Sequence, residues 1–248
     1  MKIASNCLNC GREINENFCP NCGQKTSVHR YSFKHFIEHD IVHGIWHVDK
    51  GFLFTIKELF SRPGSSVREF LQGKRLNLFN VITLLIIILG IGHFLGEYTH
   101  VKFADLVSEA KSKKIMNAFE EFAEKYPKII LLILIPIYSF FSFLWFRKAK
   151  LNLTEHFILN AYMTVGTLII STLFTIISIF YQNLEGLRII LYFVQFLSLL
   201  YIIWFYYDFF KHYKYKKFYL IFSGIALIFS VQFFYLFVGI IIGYLKLI

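Results

Sequence analysis

The chain has 248 residues and a formal net charge of +10, and 56% of its residues are hydrophobic while only 17% are charged. It contains 30 Phe and 15 Tyr, which is more aromatic residues than a single water-soluble core of this length needs. The composition therefore excludes an ordinary soluble globular domain and favours a chain that lies mostly in a membrane.

Two cysteine pairs near the start of the chain predict a metal site. They are the Cys-x-x-Cys pairs formed by Cys7, Cys10, Cys19 and Cys22, and the chain has no other cysteine. This spacing is typical of one zinc ion bound by four thiolates, and the glycine after each pair suits a tight knuckle. A closed four-thiolate site leaves no position for water, so we expect one structural Zn²⁺ and no catalytic role.

The zinc ribbon, residues 1–28, is too short to bury a sizeable hydrophobic core. Metal binding is therefore expected to supply much of its folding free energy, on the order of 10 kcal/mol. Two disulfides in a secreted miniprotein are the alternative. The zinc ribbon is favoured because no signal peptide precedes the cysteines and zinc thiolates need a reducing compartment.

Residues 29–77, which we call the elbow, are predicted to form juxtamembrane amphipathic helices. Four histidines spaced four residues apart form one helical stripe, with apolar residues between them: His35, His39, His43 and His47. Histidines at this spacing can bind a metal, and a stripe that faces the bundle could form a further site beside Glu155 and His156. An interfacial helix with Trp46 at headgroup depth is the favoured alternative.

Turn and capping signals predict a helix–turn–helix in the second half of the elbow. Pro63-Gly64 marks a turn, Ser66-x-x-Glu69 predicts a capping box, and Gly73 is expected to end the helix. Each large apolar side chain left in water would cost about 1.5–3 kcal/mol, so we expect the elbow to lie along the cytoplasmic face.

Two motifs in the elbow carry a family resemblance. Asp-x-Gly-Phe-x-x-Thr runs from Asp49 to Thr55, and Arg-Pro-Gly-x-x-x-Arg-Glu-Phe-x-x-Gly-Lys-Arg runs from Arg62 to Arg75. Together with the double Cys-x-x-Cys-Gly ribbon, they resemble an uncharacterised bacterial family of zinc-ribbon membrane proteins that is catalogued only as a domain of unknown function. The resemblance implies this architecture and assigns no reaction. Where the family has an aromatic-Asn-Pro run, this chain reads Phe-Asn-Val.

Five apolar runs of about 18 or more residues each predict a transmembrane helix. They cover about 78–96, 128–146, 157–181, 187–207 and 219–245. We therefore predict an all-α integral membrane bundle with about five transmembrane helices in residues 78–248, preceded by the small N-terminal zinc ribbon and the juxtamembrane helices. The link 97–127 mixes acidic residues with lysines, and its apolar spacing predicts an external amphipathic helix or hairpin.

Basic residues set the predicted orientation, because Lys and Arg near span ends stay in the cytoplasm. Clusters in 147–150 and 211–217 lie on one side of a five-span bundle, together with Lys74 and Arg75. The prediction is a bacterial plasma (inner) membrane protein with a cytoplasmic N terminus and an external C terminus. The surplus positive charge then contacts anionic lipid headgroups.

The third predicted span carries a polar stripe on one helical face. Its members are Asn160, Thr164, Thr167, Ser171, Thr175 and Ser178. Small hydroxyl residues of this kind either line a polar cavity or allow ordinary close packing of helices, and packing is the favoured interpretation. Glu155 and His156, with Asn160 one turn further on, either form a polar cluster or anchor the helix at the interface.

The leading functional hypothesis is a scaffold, protein-docking or regulatory role for the cytoplasmic ribbon, because the sequence shows a closed metal site and no catalytic constellation. The alternatives are a transporter or channel component lined by the third-span stripe, and a membrane-embedded lipid-acting metalloenzyme. Membrane lipids and an unnamed protein are the expected partners. Nucleic acid is disfavoured because the ribbon lacks a dense basic patch. The sequence assigns no substrate or oligomeric state.

Overall fold

The computed structural model describes residues 6–28, 30–33, 51–101, 103–106 and 127–245. Within these residues the fold is helical and has no strand; the only β-type pairings described are two isolated bridges, Asn6 with Glu13 and Phe18 with Lys25. The helices are α1 (Gly51–Ser61), α2 (Pro63–Leu71), α3 (Val81–Gly96), α4 (Pro127–Trp145), α5 (Leu153–Phe180), α6 (Leu184–Phe210) and α7 (Lys217–Leu245), with short 3₁₀ turns at Phe103–Leu106 and Arg147–Ala149.

Three helices are long and apolar enough to cross a membrane, namely α5, α6 and the Lys217–Phe234 part of α7. The predicted count of about five spans is not supported. The helix Val81–Gly96 and the Ile133–Trp145 part of α4, whose side chains the structure describes, are shorter apolar segments, whereas a straight span needs about 20 residues. The Asn80 carboxamide accepts the N–H groups of Ile82 and Thr83, so α3 starts at Val81, three residues after the predicted start at Leu78. The chain fits a membrane protein, with three candidate spans among its described residues.

Helix α5 lies at the centre of the bundle and contacts α3, α4 and α6. Around it the core is rich in stacked aromatic rings, and the ring centroids of Phe146 and Phe210 are 3.9 Å apart. The outer surfaces of α5, α6 and α7 carry large exposed apolar side chains such as Phe180, Ile189 and Phe229. An apolar exterior of this extent is what a hydrocarbon environment requires.

The elbow packs on the bundle, chiefly through α2 against α6. Leu59, Val67 and Phe70 are buried there, while Leu53 is exposed. The predicted capping box is wrong. Helix α2 already begins at Pro63, and the Ser66 hydroxyl donates to the Pro63 carbonyl instead of capping a helix start. Proline fits this first position because its missing N–H would have no partner inside the helix.

Gly73 terminates α2 as predicted. It lies two residues after Leu71, the last residue of the helix, and has a φ of +116°. The N–H groups of Gly73 and Lys74 bond back to the Phe70 and Glu69 carbonyls, the pattern of a Schellman cap. This cap positions the chain after α2 for its contact with the ribbon.

The opposite end of the bundle is joined to the start of the long link. The Arg188 guanidinium donates to the Leu106 carbonyl at 2.9 Å, and the His100 ring nitrogen lies 2.7 Å from the Ile179 carbonyl. The predicted amphipathic helix of this link falls largely on 107–126, outside the described residues.

Candidate metal centre and its attachment to the bundle

The ribbon consists of two knuckles with the same hydrogen bonds, 12 residues apart. In the first, the Cys7 N–H donates to the Arg12 carbonyl and the Gly11 N–H to the Cys7 carbonyl; in the second, Cys19, Gln24 and Gly23 repeat this pattern. Gly11 and Gly23 have φ values of +77° and +75°. Only glycine adopts this backbone region without strain, which explains the glycine after each cysteine pair.

The four cysteine side chains converge on one point. Their Sγ atoms lie within 4.8 Å of one another, and all four thiols are free. The Cys7–Cys22 and Cys10–Cys19 Sγ pairs are 3.5 and 3.6 Å apart. Sulfur atoms about 2.3 Å from a tetrahedral ion would be about 3.8 Å apart, so the cluster could hold a metal ion with little adjustment.

Local hydrogen bonds favour thiolate formation at one corner of this cluster. The backbone N–H of Arg12 and then the side chain of Asn21 lower the pKa of Cys10 to about 6. At Cys22 the N–H of Gln24 acts in the same direction, but burial and the neighbouring thiols outweigh it and raise its pKa to about 11. Cysteine ligands of a metal ion are deprotonated, and neighbouring thiolates repel one another. A bound cation would offset this repulsion.

Gln24 connects the second knuckle directly to the elbow. Its carboxamide nitrogen donates to the Gly73 carbonyl at 2.9 Å, and its carboxamide oxygen accepts the Arg75 N–H at 3.1 Å. Its backbone carbonyl meanwhile accepts the Cys19 N–H. The second knuckle and the end of α2 are therefore connected through one buried residue.

Apolar and aromatic contacts surround this connection. A Cβ atom on Gly73 would lie 2.6 Å from Leu8 Cδ1, so the ribbon approaches the α2 cap closely. The Arg75 guanidinium lies 4.0 Å from the centre of the Tyr31 ring, which stacks on Phe70 at 5.8 Å. The cation–π and stacking contacts position the chain that leaves the ribbon.

A salt bridge attaches the same segment to α5. Arg30 contacts both carboxylate oxygens of Glu155, at 2.7 and 2.6 Å, and donates to the Lys150 carbonyl at 2.7 Å. Hydrogen bonding to Glu155 raises the pKa of Arg30. Glu155 also accepts the Asn152 N–H in the capping box of α5, while the Asn152 side chain donates to the Tyr31 carbonyl. The Glu155 carboxylate thus serves as a structural anchor.

His156 belongs to a different environment inside the bundle. Its Nδ1 lies 2.9 Å from the Ser142 hydroxyl, which also accepts a hydrogen bond from the Asn160 carboxamide, and Tyr206 donates to the Asn160 oxygen. The His156 Nε2 is buried without a partner among the described residues. The Glu155 carboxylate and the His156 ring therefore have different hydrogen-bond partners, and their predicted companions His35, His39, His43 and His47 lie outside the described residues.

Sequence reasoning missed the contact between α2 and the end of α6. Asp208 is buried and accepts the Ser65 N–H at 2.6 Å and the Ser65 hydroxyl at 3.0 Å. A carboxylate at this position complements the positive end of α2. Gly64 has no positive φ; a Cβ atom there would lie 2.1 Å from the Phe209 nitrogen. Glycine is needed for close approach to α6, and the acidic residue in an apolar run was the available signal.

Thr55 connects the start of α1 to the chain before α3. Its hydroxyl donates to the Gly51 carbonyl at 2.8 Å and accepts the Phe79 N–H at 2.7 Å. A Cβ atom on Gly51 would lie 2.9 Å from the Asn77 carbonyl oxygen. The first elbow motif thus supplies the glycine and the threonine of one contact.

A cavity of about 470 Å³ lies between α4, α5, α6 and α7. It receives Thr164, Thr167 and Ser171 from the predicted polar stripe, whereas Asn160 belongs to the buried His156 network. Its described polar lining on the other helices comes from Tyr138, Gln195, Ser198 and Gln232, and the other lining residues that the structure describes are apolar.

Comparison with known proteins places one likeness on the elbow. The model of a family described as "Protein of unknown function (DUF3667)" matches residues 49–91. The match holds both elbow motifs, α1, α2 and most of α3, and it does not reach the cysteines. The search of curated proteins and the search of solved structures give no match. Residues 49–91 thus resemble a family without an assigned activity, and these residues hold the ribbon and α6 contacts of the elbow.

Proposed function

We propose that this chain is a multi-pass plasma-membrane protein whose cytoplasmic ribbon, folded on one structural zinc ion, serves as a fixed docking or regulatory platform. The observation that carries the proposal is that the ribbon and the segment directly after it are each attached to the rest of the protein. Gln24 binds the end of α2, and Arg30 binds Glu155 at the start of α5. A flexible accessory domain would need no such attachment, whereas a platform that reports on the bundle does.

Zinc suits the donor set best. Four thiolates in a tetrahedral arrangement select zinc or iron over magnesium and calcium, and each knuckle carries the glycine and inward N–H groups that thiolate ligands require. Elemental analysis of purified full-length protein tests this directly. We expect one zinc per chain; one iron per chain, or no bound metal after purification without chelator, would contradict the assignment.

The orientation follows from the basic residues between α4 and α5 and after α6. We propose that α3 and α4 complete a five-segment bundle, because a short helix crosses a membrane when the bilayer thins locally and flanking side chains reach the interface. Reporter fusions after Arg75, Lys150 and Lys214 should then be cytoplasmic, and a fusion at the C terminus external. A cytoplasmic reporter at the C terminus would contradict the five-segment arrangement.

The exposed part of the ribbon supplies the docking surface. Phe18 is 58% exposed and lies beside Cys19, while the interior of the ribbon consists of Cys7, Ile14 and Cys19. A large aromatic side chain on a metal-stabilised knuckle is suited to a protein contact. In native membranes, a photo-crosslinking amino acid at position 17 should capture a protein, and Phe18→Ala should abolish capture while the zinc content stays constant. Capture that is unchanged by Phe18→Ala would contradict this surface.

A transporter or channel component is the second candidate, because the third-span stripe contributes Thr164, Thr167 and Ser171 to the cavity. Solute flux into proteoliposomes that contain the protein tests it. The lipid-acting metalloenzyme has less support, since Arg30 and Asn152 occupy the Glu155 carboxylate. A second metal ion per chain would favour the enzyme again.

A further inference from the structure

The cavity between α4, α5, α6 and α7 lies near the middle of the three candidate membrane-spanning helices. Thr164, Gln195 and Gln232 line it, and each lies near the middle of one of the three longest helices. Its volume of about 470 Å³ is within the range of small-molecule sites, about 300–1,000 Å³. Within the described part of the chain it shares no residue with the ribbon or the elbow, so its role is independent of the docking proposal.

Three polar groups at this cavity have no partner among the residues that the structure describes. Thr164 is 1% exposed, and its hydroxyl makes no hydrogen bond. The carboxamides of Gln195 and Gln232 likewise make none with other described residues. An unsatisfied polar group in an apolar environment costs about 2 kcal/mol or more, and the bilayer core offers no water to compensate. These groups therefore call for a polar ligand.

The hydroxyl groups of the lining favour a ligand that donates hydrogen bonds. Thr167, Ser171 and Ser198 each donate to a backbone carbonyl of their own helix, at 2.9–3.0 Å. Their oxygen lone pairs stay free to accept. The two carboxamides add both donors and acceptors, and none of the lining residues that the structure describes is Asp, Glu, Lys, Arg or His. A charged ligand would lack a counterion here, so the ligand is neutral.

The remaining lining is apolar and reaches the outside of the bundle. It includes Leu134, Met163, Phe174, Leu191, Val194 and Ile202. Gln195, Leu199 and Gln232 are exposed in the middle of their helices, on the surface that a bilayer would cover. The cavity is therefore accessible from the lipid side and combines a hydroxyl-binding part with an apolar part.

We propose that this cavity binds a neutral, hydroxyl-bearing amphiphile that enters from the bilayer, of the chemical class of long-chain alcohols and monoacylglycerols. Its hydroxyl group bonds with Thr164, Gln195 and Gln232, and its chain lies along the apolar lining.

Photolabelling of full-length protein in phosphatidylcholine nanodiscs tests the proposal. The probe is a long-chain alcohol with a diazirine in its chain, compared with the same chain ending in a methyl group. We expect the alcohol to label the α5 and α6 lining at least about fivefold more strongly than the methyl probe, with displacement by excess monoacylglycerol. Equal labelling by the two probes would overturn the proposal, and so would displacement by glycerol as effective as that by monoacylglycerol.

Matched variants locate the contact. Gln195→Leu and Gln232→Leu, on different helices, should each reduce alcohol labelling several-fold and leave methyl-probe labelling unchanged. Thr172→Val is the control, because the Thr172 hydroxyl bonds to the Leu168 carbonyl and Thr172 does not line the cavity. Alcohol labelling that survives both glutamine substitutions would overturn the assignment even if each variant folds normally, as judged by its thermal unfolding temperature.

Discussion

The elbow and the mid-bundle cavity both place polar side chains inside an apolar structure, but they differ in how completely these side chains are hydrogen-bonded within the protein. At the elbow, the Thr55 hydroxyl makes two hydrogen bonds within the protein, the Ser65 hydroxyl donates to Asp208, and the Gln24 carboxamide of the ribbon makes two bonds to the end of α2. At the cavity, the hydroxyl of Thr164 makes no hydrogen bond with the other residues that the structure describes. Satisfied groups fix a geometry, whereas unsatisfied groups are available to a ligand.

The largest effect is expected when the metal site is lost. Cys19→Ser should abolish zinc binding, because three thiolates cannot complete the closed site, and the ribbon would lose on the order of 10 kcal/mol of folding free energy. Metal analysis and limited proteolysis check this: residues 6–28 should become protease-sensitive while α5 and α6 stay protected. Loss of protection in the helices as well would show that the bundle depends on the ribbon, and would contradict this prediction.

The next largest effect is expected at the close contact between α2 and α6, compared with a helix surface that packs against nothing. Gly64→Ala places a methyl group 2.1 Å from the Phe209 nitrogen of α6, so it should destabilise the protein by about 3 kcal/mol. Gly90→Ala is the matched control, since a Cβ atom there meets nothing within 4 Å. Thermal unfolding in detergent measures both. Equal behaviour of the two variants would mean that α2 does not rest on the α6 backbone.

A pair of threonine substitutions tests the comparison most directly. Thr55→Val removes the acceptor of the Phe79 N–H and the donor to the Gly51 carbonyl, and should cost about 2 kcal/mol. Thr164→Val removes a buried hydroxyl without a partner, so the unliganded protein should be unchanged or slightly more stable. Both valines preserve the side-chain shape. A similar loss of unfolding free energy in both variants would contradict the distinction between the two regions.

The smallest effect concerns pH at the elbow. Partial burial raises the pKa of Glu69, but hydrogen bonding to Lys74 and the charges of Arg62 and Lys74 outweigh it, so the pKa is lowered below 4.5. Its stabilising contribution, about 0.5–1 kcal/mol for a partly exposed pair, is complete above the unfolded-state pKa and is lost as the pH falls through the folded-state pKa. Thermal unfolding between pH 7 and pH 3.5 should therefore show a smaller acid-dependent loss for Glu69→Gln than for the unaltered protein.

The local features of the ribbon and elbow were largely predictable from sequence. Cysteine spacing predicted the convergence of four thiols, and Gly73 was recognised as the end of a helix because its chemistry acts over a few residues. The start of α2 was not predicted correctly. Ser66 and Glu69 fit a capping pattern, but Pro63 and the contact with Asp208 determine the helix start.

Long-range contacts account for the remaining differences. Nothing near Gly64 in the sequence indicates that α6 requires its missing side chain, and nothing near Glu155 indicates Arg30 as its partner. Apolar run length also placed the start of α3 three residues too early, because the helix start after Asn80 depends on a side-chain cap within the run. The stripe on α5 could be recognised, but its division between a buried network at Asn160 and a cavity at Thr164 depends on which helices face it.

The attachment of the ribbon also has a consequence for biosynthesis. The Asp208 carboxylate that binds the start of α2 is 143 residues after Ser65, and Glu155 is 125 residues after Arg30. At a synthesis rate of about 5–20 residues per second, Asp208 follows Ser65 by about 7–30 s. The cysteines are translated first, so a ribbon folded around its metal would form before the partners of Arg30 and Ser65 exist. Those partners are supplied only when α5 and then α6 have been synthesised. The contact between α2 and Asp208 is thus among the last to form during assembly, and it can form only in a molecule whose α6 is complete.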